Sequence, residues 1–229
     1  MHDNDIHEMM AILRREAPKW ERPYVTSLAE ERRDPFRVLI ATVLSARTKD
    51  TTTGPAARRL FALASTPQTM LRLSPEQIEQ AIYPVGFYHH KAQIVPQLCQ
   101  ALIERHGGQV PPDLDALIAL PGVGRKTANL VLTLGFHLPG ICVDTHVHRI
   151  TNRWGYVHTE TPQQTEMALR AKLPPEYWIE INDLLVAMGQ TICHPTSPKC
   201  SLCPLGRFTE PSALAGRQFC DRVGVTRSR

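Results

Sequence analysis

The sequence contains no apolar run that approaches the roughly 18 residues needed for a membrane-spanning helix. Residues 1–16 include acidic side chains and lack the apolar core of a secretory signal. Internal repeats and low-complexity tracts are also missing. We therefore expect a cytoplasmic protein of a prokaryotic cell, without a membrane partner, and we expect it to be monomeric.

Charge and cysteine content narrow the range of partners. The 26 lysines and arginines exceed the 22 acidic residues only slightly, giving a formal net charge of +4, which permits a nucleic-acid partner without requiring one. Of the six cysteines, those at 193, 200 and 203 crowd together. In a chain without an export signal, this crowding favours metal ligation over disulfides. Cys99 and Cys142 lie among apolar residues and are predicted core residues.

Several segments of the 229-residue chain, in which 42% of the residues are apolar, have a helical hydrophobic pattern. Apolar residues recur at helical spacing over 36–44, directly after a capping Asp34. Capping boxes over 74–77 and 161–164 predict two further helix starts, and apolar positions over 178–188 predict another helix. No segment alternates apolar and polar residues for long enough to predict a strand. The predicted fold class is all-α.

Residues 113–136 predict a helix, a glycine turn and a second helix. Asp113 caps a short helix that Pro121 ends, and Gly122-Val-Gly124 turns the chain into a new helical pattern. Glycines let the backbone approach a phosphate, and the N–H groups that open the second helix can bind an anion. Such a hairpin can bind DNA without recognising its sequence. An isolated Gly-x-Gly is more simply a tight turn between packed helices.

A family resemblance favours the DNA-binding interpretation. The helix-hairpin-helix signature of the endonuclease III family of DNA glycosylases resembles the segment Leu120-Pro-Gly-Val-Gly-Arg-Lys-Thr-Ala-Asn-Leu-Val131. The resemblance extends over about 35–203 and implies two helical domains with a lesion cleft between them. One is a six-helix domain, 28–138, that contains the hairpin, and the other is a cluster-bearing domain formed by 1–27 with 139–229. The hairpin residues that it implies for DNA binding are Gly122, Val123, Gly124 and Arg125.

The resemblance also implies a bifunctional glycosylase and abasic-site lyase with Lys126 as its nucleophile. The amine attacks the sugar C1′ as the damaged base leaves, and the resulting Schiff base acidifies C2′, so that the 3′ phosphate is eliminated. Asp144 is placed to cap the helix that follows, and its Val-Asp-Thr-His segment resembles the one with the family's glycosylase aspartate. Asp144 either accepts the lysine proton or stabilises positive charge on the sugar. The simpler alternative for Lys126 is a surface lysine on a helix that faces DNA.

The pattern Cys193-x6-Cys200-x2-Cys203 matches the first three ligands of the [4Fe–4S] cluster found in this family. In the usual family pattern a fourth cysteine follows after five residues, whereas here Cys220 follows after sixteen. We expect Cys220 to be the fourth ligand, reached through a longer loop, since loop length adds closure entropy only slowly. A zinc site or a site without metal remains an alternative, as does His194 as the substitute ligand.

Two further segments are expected to hold the damaged duplex. Phe87, in Gly86-Phe-Tyr-His-His-Lys91, stands where the family has its intercalating wedge, and core packing is the alternative. The segment Leu44-Ser-Ala-Arg-Thr-Lys-Asp50 resembles a family segment whose glutamine fills the gap in the duplex, and here Arg47 replaces it. That change leaves the preferred lesion and the opposite base open. The remaining predicted DNA contacts are His146, in the lesion pocket or packed on a helix, and Lys199, at a phosphate.

The predicted function is base excision repair of oxidised pyrimidines in damaged double-stranded DNA, and two rival functions remain. A monofunctional mismatch glycosylase of the same superfamily typically lacks the lysine found here at 126. A non-catalytic helix-hairpin-helix DNA-binding protein is favoured by the altered cysteine spacing and by Arg47. The presence of both Lys126 and Asp144 argues against that second rival.

Overall fold

The computed structural model describes residues 5–205 and 220–228, which form twelve α-helices. In chain order these are α1 (Asp5–Glu16), α2 (Tyr24–Glu31), α3 (Pro35–Ser45), α4 (Asp50–Leu63), α5 (Pro67–Met70), α6 (Pro75–Ile82), α7 (Tyr88–His106), α8 (Leu114–Ile118), α9 (Arg125–Leu130), α10 (Thr145–Arg153), α11 (Pro162–Lys172) and α12 (Ile181–Thr191). A π-helical turn, Val131–Gly135, directly continues α9. The described residues include no β-strand, which confirms the all-α prediction. No helix within these ranges is both long and apolar enough to cross a membrane.

The chain divides into two compact units. One consists of Met1–Pro23 together with Ile141–Arg229, and the other is the continuous segment Tyr24–Gly140. The second unit is therefore inserted between two segments of the first. The sequence prediction had the inserted domain at 28–138.

Helix α3 is the centre of the Tyr24–Gly140 unit. Its fully buried side chains are Val38, Leu39, Ile40, Ala41 and Leu44. A helix that is apolar on most of its circumference belongs in an interior. It begins as predicted, because Asp34 accepts the backbone N–H of Phe36 at 3.0 Å and that of Arg37 at 3.2 Å. Its C-terminal end leads into the exposed loop with Arg47.

The other unit packs α1, α10, α11 and α12 around a shared core. Representative buried members are Met9, Leu13, Ile150, Trp154, Leu169 and Leu185. Cys193 belongs to the same cluster, and Cys203 and Cys220 pack against it. The cysteine segments are therefore continuous with the hydrophobic core of this unit.

Other local predictions are confirmed. Both predicted capping boxes are present, at 74–77 before α6 and at 161–164 before α11. Cys99 and Cys142 are fully buried, and burial raises the pKa of the Cys99 thiol to about 12.

The prediction of a helix over 178–188 was wrong at its start. Helix α12 begins at Ile181, and Trp178 instead ends a short 3-10 turn. The Trp178 indole N–H donates to the Leu173 carbonyl at 2.8 Å, and the Arg170 guanidinium lies 5.3 Å from a Trp178 ring centroid. These contacts attach Trp178 to the end of α11, so it lies outside the helix whose periodicity it shares.

Candidate functional site

The hairpin joins α8 to α9, and its first glycine is required by the protein itself. The Asp113 carboxylate accepts the Ala116 N–H at 2.8 Å and caps α8, and the Val123 N–H donates to the Leu120 carbonyl at 3.2 Å to close the turn. Gly122 has a φ of 73°, in the left-handed region that favours glycine. A Cβ at Gly122 would also overlap the Cγ2 atom of Ile94. Conformation and packing therefore both call for glycine here.

The second hairpin glycine has no such internal reason. Gly124 precedes α9 with a φ of −90° and a ψ of 171°, which any residue can adopt. A Cβ on Gly124 would meet no atom within 4 Å. Its bare Cα leaves the backbone open to a ligand, as a phosphate-binding hairpin requires. Between the two glycines, Val123 is buried, whereas Gly122 and Gly124 are exposed.

Lys126 is the second residue of α9, directly after Arg125, and both are half-buried. The next two residues, Thr127 and Ala128, are buried. The Ala128 N–H donates to the Gly124 carbonyl at 2.9 Å and closes the first turn of the helix. The base of the Lys126 side chain is thus fixed by a packed helix start immediately beside the hairpin.

Asp144 caps α10, as predicted. Its Oδ1 atom accepts the His146 N–H at 2.8 Å and the Val147 N–H at 2.9 Å, and Oδ2 takes part in neither bond. The residue is half-buried. Asp144 belongs to the unit that contains α10, and Lys126 belongs to the Tyr24–Gly140 unit. Capping by a single oxygen leaves the second carboxylate oxygen for other chemistry.

His146 packs on a neighbouring helix of its own unit. Its Nδ1 atom lies 3.2 Å from Nη2 of Arg149. A Cβ on Gly189 of α12 would overlap the imidazole ring, so that glycine makes room for it. These contacts correspond to the alternative in which His146 is a helix-packing histidine, and its role at a lesion pocket stays a prediction.

The predicted ligand cysteines come together although they lie in two separate segments of the chain. Cys193, Cys200, Cys203 and Cys220 line one cavity, and none of the four forms a disulfide. Burial is the main cause that raises the pKa of Cys203 to about 12 and that of Cys220 to about 11, and the neighbouring thiols add to it. Residues 206–219, which make up most of the long loop between Cys203 and Cys220, lie outside the described residues.

Two other candidates near this cavity have different positions. Lys199 lines it, and its backbone N–H donates to the Ile192 carbonyl at 2.9 Å. Among the described residues, His194 does not line the cysteine cavity. Across 5–205 and 220–228, no three His, Cys, Asp or Glu side chains form a group that could hold a metal ion.

Arg153 connects the two cysteine segments and was not predicted from the sequence. Its side chain is buried, and Nη1 donates to Cys193 Sγ at 3.2 Å and to the His194 carbonyl at 2.7 Å. The Arg153 carbonyl accepts the Val223 N–H at 3.2 Å and the Cys220 thiol at 3.5 Å. One residue therefore bonds to both sides of the cavity. In the sequence, Arg153 looks like any solvent-exposed arginine of a helix, so the sequence gives no indication of this role.

Arg149, one turn earlier in α10, supports the same segment. Its Nη2 atom donates to the Cys193 carbonyl at 2.8 Å. Burial lowers the pKa of its guanidinium, and the nearby Cys193 acts in the opposite direction. The two arginines surround the first cysteine of the motif with hydrogen-bond donors.

Phe87 and Arg47 meet at the surface of the Tyr24–Gly140 unit. The Phe87 side chain is 59% exposed, so the alternative that it packs in the core is wrong. The Arg47 guanidinium carbon lies 5.3 Å from the Phe87 ring centroid, within the range of a cation–π contact. Both residues have positive φ, 55° for Arg47 and 59° for Phe87, which is uncommon outside glycine. Residues from two loops thus form one exposed pair.

Comparison with known proteins agrees with this architecture. The family model described as HhH-GPD superfamily base excision DNA repair protein matches residues 40–175. Endonuclease III from Thermotoga maritima is 48% identical over 177 residues, which cover 77% of this chain and 83% of that protein. Endonuclease III from Escherichia coli is 40% identical over 169 residues, covering 74% and 80% of the two chains respectively.

A solved structure extends the similarity to three dimensions. The structure of a trapped endonuclease III–DNA covalent intermediate, an estranged-adenine complex, aligns with a TM-score of 0.80 and 35% identity. The alignment covers 90% of this chain and 94% of that one. The family match spans more than half of the sequence, and the relatives are matched over most of their length. The chain therefore belongs to the endonuclease III family, within the HhH-GPD superfamily of base excision DNA repair proteins.

Proposed function

We propose that this protein is a bifunctional DNA glycosylase and abasic-site lyase that removes oxidised pyrimidines from double-stranded DNA. The main support is Lys126, a primary amine at the second position of the helix that follows the hairpin, in a chain of the endonuclease III family. A solved relative was trapped as a covalent intermediate with DNA. A covalent mechanism needs a nucleophile, and a lysine at this position supplies one.

The proposed reaction has two stages on the same lysine. The Nζ lone pair of Lys126 forms a bond to the sugar C1′, while the bond from C1′ to the damaged base breaks and its electron pair leaves with the base. Opening of the sugar ring gives an iminium between Nζ and C1′. Loss of a proton from C2′ then breaks the C3′–O bond and releases the 3′ phosphate. Hydrolysis of the imine by water frees the lysine.

Asp144 is proposed as the carboxylate that assists the first stage. Its Oδ1 atom is used by two backbone N–H groups at the start of α10. The carboxylate can accept the proton of the attacking amine or stabilise positive charge on the sugar as the base departs. Capping and catalysis are compatible, because a carboxylate has two oxygens and several acceptor sites.

The hairpin is proposed to bind the DNA backbone. Gly124 leaves its backbone open, and Arg125 directly follows it. Contacts of this kind fix the position of a protein on the duplex and carry no sequence information. Such contacts suit an enzyme that must search for rare lesions in any sequence context. Lys199 is proposed to contribute a further phosphate contact beside the cysteine cavity.

Phe87 and Arg47 are proposed to enter the duplex where the damaged nucleotide leaves it. Base excision requires the nucleotide to be rotated out of the stack, and an exposed aromatic ring can fill the gap as a wedge. The Arg47 guanidinium can donate to an unpaired opposite base or to a phosphate. An arginine in the place of a glutamine leads us to expect that the opposite-base preference differs from that of relatives with glutamine.

We also propose that Cys193, Cys200, Cys203 and Cys220 hold a [4Fe–4S] cluster. The chemistry of the donor set fits, because four cysteines line one cavity and an arginine lies 3.2 Å from Cys193 Sγ, where it would face anionic thiolates. No three of the described side chains converge on a single metal ion, but in a [4Fe–4S] cluster each thiolate binds a different iron. When bound, the cluster would supply a covalent crosslink between the two cysteine segments. Iron and sulfide analysis of the purified protein distinguishes this proposal from a zinc site, which contains neither.

The lyase proposal is tested by borohydride trapping. Wild type, Lys126→Ala and Asp144→Ala are incubated with duplex DNA that contains an abasic site or thymine glycol, and borohydride reduces any Schiff base to a stable adduct. We expect an adduct with the wild-type protein that is lost on both substrates in Lys126→Ala. Lys172→Ala is the matched control, since it removes a lysine from the other unit and should not change the adduct.

The alternatives give different results in the same experiment. Release of the base without any adduct would indicate a monofunctional glycosylase. Tight binding with neither adduct nor base release would indicate a non-catalytic DNA-binding protein. The proposal further has the protein acting as a monomer in a prokaryotic cytoplasm, associated with nucleoid DNA, and size-exclusion chromatography tests its oligomeric state.

A further inference from the structure

Two loops of the Tyr24–Gly140 unit present the exposed pair Arg47 and Phe87. One loop follows α3, and the other precedes α7. Both residues have left-handed backbone conformations. Such conformations persist in residues other than glycine only where the surroundings determine them strongly. The structure must therefore contain contacts that hold these two loops.

Lys91 makes those contacts from the first turn of α7. Its side chain is buried, with 6% of its surface exposed. The ammonium donates to the carbonyls of Leu44 at 2.8 Å and Ala46 at 2.7 Å, and to the Thr48 hydroxyl at 3.4 Å. Its backbone N–H donates to the Phe87 carbonyl at 3.0 Å. That last bond is the ordinary first-turn bond of α7, of which Phe87 is the N-cap, and any residue other than proline could make it. The ammonium therefore attaches the backbone around Arg47 to the start of the helix that Phe87 precedes.

Direct contacts between the loops reinforce this arrangement. The Gly86 N–H donates to the Thr48 hydroxyl at 3.0 Å. A Cβ on Gly86 would lie 2.6 Å from the Arg47 carbonyl oxygen, so the two backbones touch where any side chain would separate them. Thr48 receives hydrogen bonds from both Gly86 and Lys91. The two loops and the lysine form one hydrogen-bonded assembly, which we call the Lys91 assembly.

Lys91 also complements the end of α3. The last carbonyls of a helix lack intrahelical partners, and a cation near them is favourable. A buried cation is nevertheless unfavourable unless it is well hydrogen-bonded, and burial lowers the pKa of Lys91 to about 8. A neutral polar cap would satisfy the same carbonyls without a desolvated charge. A lysine at this position is better explained by its three acceptors, which extend from the end of α3 to Thr48 beyond Arg47, than by capping alone.

We propose that Lys91 is a positioning residue that holds Arg47 and Phe87 as a rigid pair, so that both enter the duplex together when a damaged nucleotide is extruded. The inference rests on the proposed function, in which this pair fills the gap. Without the Lys91 assembly, the loops would adopt other conformations, and part of the binding free energy would be spent on ordering them. Loss of the assembly should then reduce opening of the duplex and leave the reaction at Lys126 unchanged.

The test compares substrates that do and do not require opening of a duplex. Lys91→Met removes the three donors and keeps the length of the side chain. Lys172→Met is the matched control, because Lys172 also donates to a carbonyl, that of Tyr156 at 2.8 Å, in the other unit. Each variant is assayed for single-turnover base release from a thymine glycol duplex and for borohydride trapping on a single-stranded abasic oligonucleotide. The fluorescence of 2-aminopurine beside the lesion reports unstacking.

For Lys91→Met we expect a loss of roughly ten- to a hundredfold in duplex excision, as misplaced substrate-handling groups typically cause. The 2-aminopurine signal on binding should fall with it. Trapping on the single-stranded substrate should stay within about twofold of wild type, as should every activity of Lys172→Met. Lys91→Arg, which keeps a cation and several donors, should restore part of the duplex activity.

Three results would overturn the positioning role. The first is a Lys91→Met protein with wild-type duplex excision and unstacking. The second is an equal loss on both substrates, which a general structural defect would produce. The third is a full additional loss when Lys91→Met is combined with Phe87→Ala, because residues that act through one another are not additive.

Two further measurements keep the inference testable. If Lys91→Met does not fold, Thr48→Val removes the shared hydroxyl at a half-exposed position, and it should give a smaller loss that is again confined to the duplex substrate. An unchanged Thr48→Val protein would then count against the proposal. Failure of the proposed function is recognised separately, since the wild-type protein itself would give no adduct on either substrate. The 2-aminopurine signal would still test Lys91, because unstacking does not depend on covalent chemistry.

Discussion

The two glycines of the hairpin should respond differently to alanine. Gly122 has a φ of 73°, and an added Cβ would overlap Ile94. The left-handed conformation costs an alanine roughly 1–2 kcal/mol, and overpacking adds about 1–3 kcal/mol. Gly122→Ala should therefore lower the free energy of unfolding by roughly 2–5 kcal/mol. For a chain of this size the melting temperature should fall by roughly 4–20 °C.

Gly124→Ala should leave the fold intact and weaken DNA binding. Its φ of −90° suits alanine, and the methyl group would meet no protein atom within 4 Å. The smaller entropy of the unfolded chain would even favour the variant, by about 0.4–1 kcal/mol. A phosphate held against the Gly124 backbone would meet that methyl group. We expect roughly a tenfold rise in the Kd for DNA, which corresponds to about 1.4 kcal/mol.

Thermal and denaturant unfolding measure the first effect, and fluorescence anisotropy on undamaged duplex measures the second. Salt concentration must be held constant, because phosphate contacts are strongly salt-dependent. A stable Gly122→Ala protein would refute the packing argument. Wild-type affinity in Gly124→Ala would refute the approach of a phosphate to this backbone.

Three more predictions concern other residues. Asp144→Ala should lose the helix cap and with it about 1 kcal/mol of stability, whereas Asp144→Asn should keep the cap and lose base release. Unfolding curves measure the stability and single-turnover excision measures base release. An alanine variant as stable as wild type would contradict the capping role. Cys193→Ala should be colourless and poorly soluble while Cys99→Ala stays yellow-brown, and a coloured, soluble Cys193→Ala protein would exclude the cluster. Burial lowers the pKa of Lys91 from 10.5 to about 8 in the folded protein. Between pH 8 and pH 10.5, Lys91 is therefore protonated in the unfolded chain and largely deprotonated in the folded one. The unfolding free energy of wild type relative to Lys91→Met should therefore be constant below pH 8 and rise from about pH 8 to 10.5; a flat difference across that window would show that Lys91 is not desolvated.

Local interactions account for what was predictable in the fold. Asp34, Asp144 and the capping box at 161–164 all act on backbone groups two or three residues away. The donors and acceptors of a helix start are close together in sequence, so the pattern by itself locates it. The same reasoning failed at Trp178. Its position fits the apolar spacing of α12, but its hydrogen bond to the Leu173 carbonyl holds it before the start of that helix.

The candidate site was predictable only in part. Lys126, Asp144, Cys193, Cys200 and Cys203 were proposed as site residues from motifs of fixed spacing, and Cys220 was proposed although its spacing departs from the motif. The contacts of Arg153 reach residues some forty or more positions away along the chain. Neither arginine of α10 differs in sequence from an ordinary solvated side chain. The exposed position of Phe87 likewise could not be separated from core packing until the loop conformation was known.

The sequence by itself determined the helical class, most of the predicted helix starts and the hairpin, because each depends on residues close together in the chain. The proposal of Lys126 as nucleophile likewise rests on a local motif. Only the tertiary structure decided which polar side chains are buried and what they bind. Lys91 illustrates the difference, since its ammonium bonds to the end of a helix more than forty residues earlier. Burial of a charge depends on which helices pack together, and that is a property of the whole fold.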